Sequence, residues 1–236
     1  MTDQTNVTPD VTAAVTTDLT ADPTTDLTAV AALAEPTRRR VYDVVVAARR
    51  GLTRDEVAEA VGLARNTAAF HLDRLTEEGL LTATFERRTG RSGPGAGRPA
   101  KIYARAAQDV AVSLPPRHYD VAGELLAAAV EESERTGEPV RDCLARQAWN
   151  RGHDLAEGGL AAALARSGYE PFEEDGALVL ANCPFHELST RHTELVCGMN
   201  LRLMEGLLDA VGEEGMRARL DPSPGRCCVR LEPIGE

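Results

Sequence analysis

Hydrophobic positions recur at three- and four-residue intervals from Leu27 onward. Val30, Leu33, Val41, Val44 and Val45 keep this spacing through LTAVAALAEPTRRRVYDVVVAAR, the period of helices with one buried face. Pro36 divides the stretch into a short lead-in and a first helix proper, and Gly51 ends it. Thr53 opens a second helix, and Glu56 three residues on completes the signature of a capping box. A third helix follows Gly62-Leu63, with Ala68, Leu72 and Leu75 forming its buried stripe and Gly79 closing it. Residues 80–85 alternate and favour a strand. The stretch after them is rich in Gly and Pro, and Ile102-Tyr103 reads as the return strand of a hairpin. Helix, capped helix, tight turn, helix and hairpin in this order predict a winged helix-turn-helix.

Beyond a linker around Ser113-Leu-Pro-Pro116 the periodicity predicts helices over 119–136 and 140–167. A β-hairpin is predicted over 169–172 and 177–182 around the turn Glu173-Glu-Asp-Gly176. A helix over 188–211 and short strands over 217–220 and 227–231 complete the chain. The predicted class is α+β: a winged helix-turn-helix domain over 28–105, a linker over 106–117, and over 118–236 an α+β sensor and dimerisation domain with a small antiparallel sheet. The first 27 residues are Thr, Asp, Ala and Pro with few large apolar side chains, and read as a disordered acidic tail.

Charge changes the picture because it is unevenly spread. The net charge of −11 argues against a general nucleic-acid binder, but residues 28–105 carry 14 Lys and Arg against 9 Asp and Glu. Residues 106–236 carry 12 against 23. Only the middle segment suits an anionic partner. No apolar run approaches the ~18–20 residues of a membrane span, and the N-terminus lacks the basic start and apolar core of a secretory signal, so a cytoplasmic protein without membrane contact is expected.

On the third helix Arg65, Asn66, Thr67, His71 and Arg74 fall off the buried stripe and are expected to point outward. Arg suits guanine O6 and N7, Asn suits adenine N6 and N7, and Thr offers a methyl and a hydroxyl, so the set has the chemistry of major-groove readout of double-stranded DNA. Arg87, Arg88, Arg91, Arg98 and Lys101 crowd the hairpin with no acid between the first and last. About four phosphate contacts from this wing would give a log–log salt slope of roughly −4. The segments LARNTAAFHLDRLTEEGLL and GRPAKIY resemble the recognition helix and wing of ArsR-type bacterial repressors, and the second resembles the Suf-operon iron–sulfur repressor family. The resemblance implies a homodimer on an inverted-repeat operator.

Four of the five cysteines lie beyond Asn182. In a reducing compartment such thiols read as ligands, redox groups or core residues before disulfides. Cys183 ends the hairpin's second strand before a Pro, Cys197 shares an inward helix face with Leu201, Met204 and Leu208, and Cys227 opens a strand after Pro222-Ser-Pro-Gly225. The intervening stretches of thirteen and twenty-nine residues are not those of a zinc ribbon, but three thiolates converging in an apolar shell would suit an iron–sulfur cluster. The pattern CPFHELSTRH, then Cys197, then Cys227-Cys228 extends the resemblance to the Suf repressor family and implies cluster binding by these residues.

Adjacent strand residues face opposite sides, so one of Cys227 and Cys228 should turn away; the further ligand is then Cys228, His192, His186, a carboxylate, or no protein group at all. Cys143, near Trp149 on an amphipathic helix, reads as core. Zinc or a small ligand in the same pocket is the alternative within regulation. An enzyme using Cys183 with His186 or His192 as nucleophile and base is the alternative outside it. No phosphate loop, nucleophile elbow or HExxH helix supports that last reading, and a repressor rather than an enzyme is expected.

Overall fold

The computed structural model describes residues 23–86 and 99–235, with side chains from residue 26 onward. The chain divides between Ala111 and Val112 into two compact units.

The first unit begins with α1 (Pro23–Ala32) and α2 (Pro36–Ala47). The last residues of the expected tail are therefore helical, and residues 1–22 lie outside the described residues. Glu35 caps α2 by accepting from the backbone N–H groups of Thr37 and Arg38 at 2.9 and 2.6 Å, beside the helix-compatible Pro36. A two-residue strand, β1 (Leu52–Thr53), precedes α3 (Arg54–Val61). Thr53 and Glu56 form the capping box in both directions, and Gly62 ends α3 with φ 73°. After α4 (Arg65–Glu77) come β2 (Leu81–Glu86) and β3 (Ala100–Arg105), which pair antiparallel from Leu81↔Arg105 to Glu86↔Ala100. β1 pairs with the other edge of β3. Val41, Val45, Leu52, Val57, Leu72, Leu75, Leu81 and Tyr103 share one buried core, so α2, α3, α4 and the hairpin are held by common apolar contacts.

The second unit opens with α5 (Tyr119–Thr136), matching the predicted span, and α6 (Val140–Asp154). The helix expected over 140–167 breaks at Gly158 and Gly159, whose φ of 79° and 85° leave the helical region, and resumes as α7 (Leu160–Arg166). β4 (Pro171–Glu174) and β5 (Ala177–Leu180) are joined by Asp175-Gly176, both at positive φ as a two-residue hairpin turn requires. The helix expected over 188–211 is divided at His192 into α8 (His186–Arg191) and α9 (Thr193–Val211). β6 (Met216–Leu220) and β7 (Val229–Pro233) complete an antiparallel sheet of order β4-β5-β7-β6. A helix-turn-helix followed by mixed helices and small antiparallel sheets is the α+β architecture expected. No helix among the described residues is long and apolar enough to cross a membrane.

The core of this unit rests on a backbone-to-backbone approach of α6 and α9. A Cβ on Gly152 would stand 1.9 Å from the Leu203 carbonyl oxygen, and one on Gly206 would stand 2.0 Å from that of Trp149. Each helix thus offers a glycine where the other's backbone arrives, and Cys143, Leu144, Ala148, Leu203 and Leu207 fill the flanks. Gly206→Ala and Gly152→Ala should each destabilise the fold by about 2–3 kcal/mol, because neither neighbour is a side chain that could swing aside. Urea unfolding of the full chain, followed by its single Trp149, reads the effect. Gly123→Ala, with nothing within 4 Å of the added methyl, should be neutral or slightly stabilising.

Candidate functional site

Two sets of residues carry the chemistry, one in each unit. In the first, α3 and α4 are joined by Gly62, Leu63 and Ala64. The Leu63 N–H donates to Ala58 O at 2.9 Å, and Leu63 packs on the core. Ala64 supplies no side-chain cap to α4, so the amides of the first turn are left for another acceptor, which a phosphate could supply. Arg65, Asn66, Thr67 and Arg74 are exposed, as their positions predicted. Arg65 lies 3.2 Å from Asp55 on α3, and Arg74 pairs with Glu78 and, at 3.6 Å, with Glu77. Such exposed pairs are worth about 0–1 kcal/mol and yield readily to a stronger anion.

Two expected contacts come out differently. His71 is only 8% exposed. It sits three residues after Ala68 and four before Leu75, so it completes the buried stripe instead of leaving it. Its Nδ1 lies 3.6 Å from Glu35 Oε2, which corrects the expectation that it faces outward. Lys101 is half-buried and donates to Asp73 Oδ1 at 2.6 Å, with its ammonium 5.0 Å from the centre of the Tyr103 ring. The Tyr103 hydroxyl donates to the same oxygen at 2.9 Å. Burial pushes the Asp73 carboxyl up, but the bonds from Lys101 and Tyr103 outweigh it and leave the group below its ordinary value. Lys101 thus fastens β3 to α4 in this structure. Arg87, Arg88, Arg91 and Arg98 lie outside the described residues.

Residues 33–83 match the family described as a helix-turn-helix domain. The first unit carries a DNA-binding regulator domain. No curated protein matches the chain. Within the helix-turn-helix, α3 and α4 are the paired helices, and the outer side of α4 carries the exposed Arg65, Asn66, Thr67 and Arg74.

In the second unit four cysteines meet as two pairs. Cys183 lies in the turn between β5 and α8, and the Cys183 thiol hydrogen-bonds with that of Cys227. Cys197 on α9 is joined to Cys228 by a disulfide. The pairs are neighbours through the Cys227–Cys228 peptide and through Asn200, one turn along from Cys197. The Asn200 Nδ2 donates to Cys227 Sγ at 3.2 Å, while its oxygen accepts from the Tyr169 hydroxyl. Burial pushes the Tyr169 hydroxyl well above its ordinary value, so it remains a neutral donor.

Cys227 and Cys228 send their sulfurs to different partners, Cys183 and Cys197, though not for the reason expected. β7 begins only at Val229, so the alternation of a strand does not govern this dipeptide. The expectation of free thiols is corrected for Cys197 and Cys228. His186 and His192 are exposed, so neither stands with the buried sulfurs as the further ligand or as the base of a buried Cys183 nucleophile. Cys143 is buried in α6, as its pattern suggested.

The Cys183 turn is held from the segment that enters the unit. Arg117 Nη1 donates to the Cys183 carbonyl at 3.0 Å and to the Asn182 side chain. Asn182 Nδ2 donates to Gly168 O at 2.6 Å and Pro116 O at 3.1 Å, and the His118 N–H donates to Pro184 O at 3.1 Å. Sequence reasoning missed Asn182, Asn200 and Arg117. The one local signal was polar residues beside or one turn from the cysteines.

In donor kind and number, four thiols brought from a turn, a helix and a strand approach fit an iron–sulfur cluster, and they equally suit tetrahedral zinc. In arrangement they stand as pairs. Among the described residues no three or more His, Cys, Asp or Glu side chains are gathered around one metal position.

The hydrogen bond from Cys227 is the largest cause lowering the Cys183 thiol to about 7, against an opposing effect of burial. Donation to Cys183 and burial together raise Cys227 above its ordinary value. In reduced, metal-free protein one thiolate should therefore appear in ultraviolet absorbance with a midpoint near pH 7. A folded value below the unfolded one means that this group's stabilisation is present above the ordinary thiol pKa and is lost as pH falls through about 7. Cys183→Ala should abolish the transition, and Cys227→Ala should move it upward.

Proposed function

We propose that the protein is a homodimeric transcription repressor whose affinity for an inverted-repeat operator follows the state of an iron–sulfur cluster held by Cys183, Cys197, Cys227 and Cys228. The observation that carries the reading is the pairing of Cys183 with Cys227 and of Cys197 with Cys228, the two pairs joined through the Cys227–Cys228 peptide, in a chain whose other unit carries a helix-turn-helix. Reduction of the Cys197–Cys228 bond frees all four sulfurs as ligands. The bound cluster would supply a redox- and assembly-sensitive group. The chain's own residues would hold it: Asn200 donates to one ligating sulfur, and Arg117 orients the backbone of another. Outer contacts of this kind orient ligands and tune the bound centre. The reading assigns the thiols no catalytic step.

Regulation also needs a route out of the site, and the bonds of Arg117, Asn182 and His118 supply its first part. They fasten the segment just beyond the first unit to the cysteine-bearing turn. A coupling of about 1–3 kcal/mol would change DNA affinity about 5–150-fold.

Anaerobic purification tests the reading. The full chain should carry iron and acid-labile sulfide with visible absorption, and Cys183→Ala and Cys197→Ala should lose both. Affinity for duplexes selected from a randomised library should differ between loaded and cluster-free protein. Arg117→Ala should keep its iron while the difference shrinks. A colourless protein without iron or sulfide overturns the cluster, and one zinc per chain in its place assigns the same sulfurs to zinc. Loss of duplex binding on replacing Arg65 and Asn66 by Ala is the corresponding result for the DNA-reading helix.

A further inference from the structure

Phe70 is 63% exposed in the middle of α4. At about 100° per residue it falls on the side of the helix away from Ala68, Leu72 and Leu75. It stands four residues from both Asn66 and Arg74, so the three side chains form one row along the helix surface, and Thr67 lies one turn back beside it. At a rise of about 1.5 Å per residue the ring sits roughly 6 Å along the axis from each neighbour in the row, within one or two base-pair steps. Its orientation is braced from below. The ring meets that of buried His71 edge-on, with centroids 5.4 Å apart and planes at 68°. His71 in turn lies against Glu35, the cap of α2.

An exposed aromatic among hydrogen-bonding side chains has little to match it on an apolar protein interface, where the neighbours would be apolar as well. The major groove does offer a match. Its edges are donors and acceptors, and its one apolar projection is the C5-methyl group of thymine. We propose that Phe70 is a specificity-determining residue that packs on a thymine methyl between the bases met by Asn66 and Arg74. The inference rests on the reading that α4 docks in the major groove.

The test uses the full chain and duplexes enriched from a randomised library, with binding followed by fluorescence anisotropy at fixed salt. Each thymine of an enriched site is replaced in turn by deoxyuridine, which removes only the methyl group. One thymine in each copy of the recognised sequence should respond, with affinity falling about three- to tenfold, the size expected for one buried methyl. Phe70→Ala should bind the thymine duplex more weakly by a similar factor and no longer distinguish uridine there. Phe70→Leu should retain part of the distinction. Both variants should keep the helical circular dichroism of the parent, since the ring is exposed.

A Phe70→Ala protein that still distinguishes uridine overturns the proposal, as does a parent protein indifferent to uridine at every position. Phe70→Ala altering the oligomeric state while leaving the uridine response intact places the ring in a protein interface and also overturns it. Failure to enrich any duplex is a different result: it removes the DNA reading, and the inference with it.

Discussion

The C-terminal site depends on the single peptide between Cys227 and Cys228. The ladder of β6 and β7 reaches Leu220↔Val229, and the dipeptide just before it is pinned on two sides. The Cys227 N–H donates to Leu180 O at the end of β5, and the Asp221 N–H donates to Cys228 O. Held across two strand ends but belonging to neither, the two residues send one sulfur to Cys183 and the other to Cys197. Three distant segments are thereby brought to one place. The buried polar atoms close on themselves too, since Asn200 divides its amide between Tyr169 and Cys227. Removing either end would leave a buried partner unsatisfied, at about 1–3 kcal/mol.

A comparable economy governs α4. One side is apolar and, with His71 included, packs into the core. Asp73, on a flank, accepts from Lys101 and Tyr103 and so fixes β3 to the helix. The remaining side carries Asn66, Phe70, Arg74 and Arg65. Thirteen residues thus anchor the helix, position β3, and leave a polar face exposed. A substitution at Asp73 would loosen the hairpin from α4, because it would remove the acceptor shared by Lys101 and Tyr103.

How much was legible in the sequence follows the range of the interactions involved. Thr53 with Glu56, Gly62 and the turn ending at Gly176 act within a few residues, and the capped α3 and the β4–β5 hairpin follow from them. The breaks at Gly158-Gly159 and His192 were missed because apolar periodicity runs through both. β1 exists only through its pairing with β3, where Leu52 meets Tyr103 and Thr53 meets Ile102 from far along the chain. His71 was misplaced because a polar residue at the edge of a stripe is buried or exposed according to what covers it, here α2's cap. The direction of Cys228 could not be read from strand alternation, which holds only inside a strand. Its partner Cys197 lies thirty-one residues away, and no local pattern names such a partner.

The size of the forces bears on whether such a site could govern DNA affinity. Four hydrogen bonds run between residues 116–118 and the Asn182–Pro184 turn: Arg117 to Cys183 and to Asn182, Asn182 to Pro116, and His118 to Pro184. A hydrogen bond contributes about 0.5–1.5 kcal/mol net, and one to a charged group contributes more. The set therefore matches or exceeds the few kcal/mol that regulatory coupling requires. A change in how the Cys183 sulfur is held need not refold the domain to be felt upstream. Moving the turn enough to break two of these bonds would suffice, since Arg117 donates from one nitrogen both to Asn182 and to the Cys183 carbonyl. A linkage of this size is what the proposed coupling would need: enough to transmit a ligand's state, and little enough for that state to reverse it.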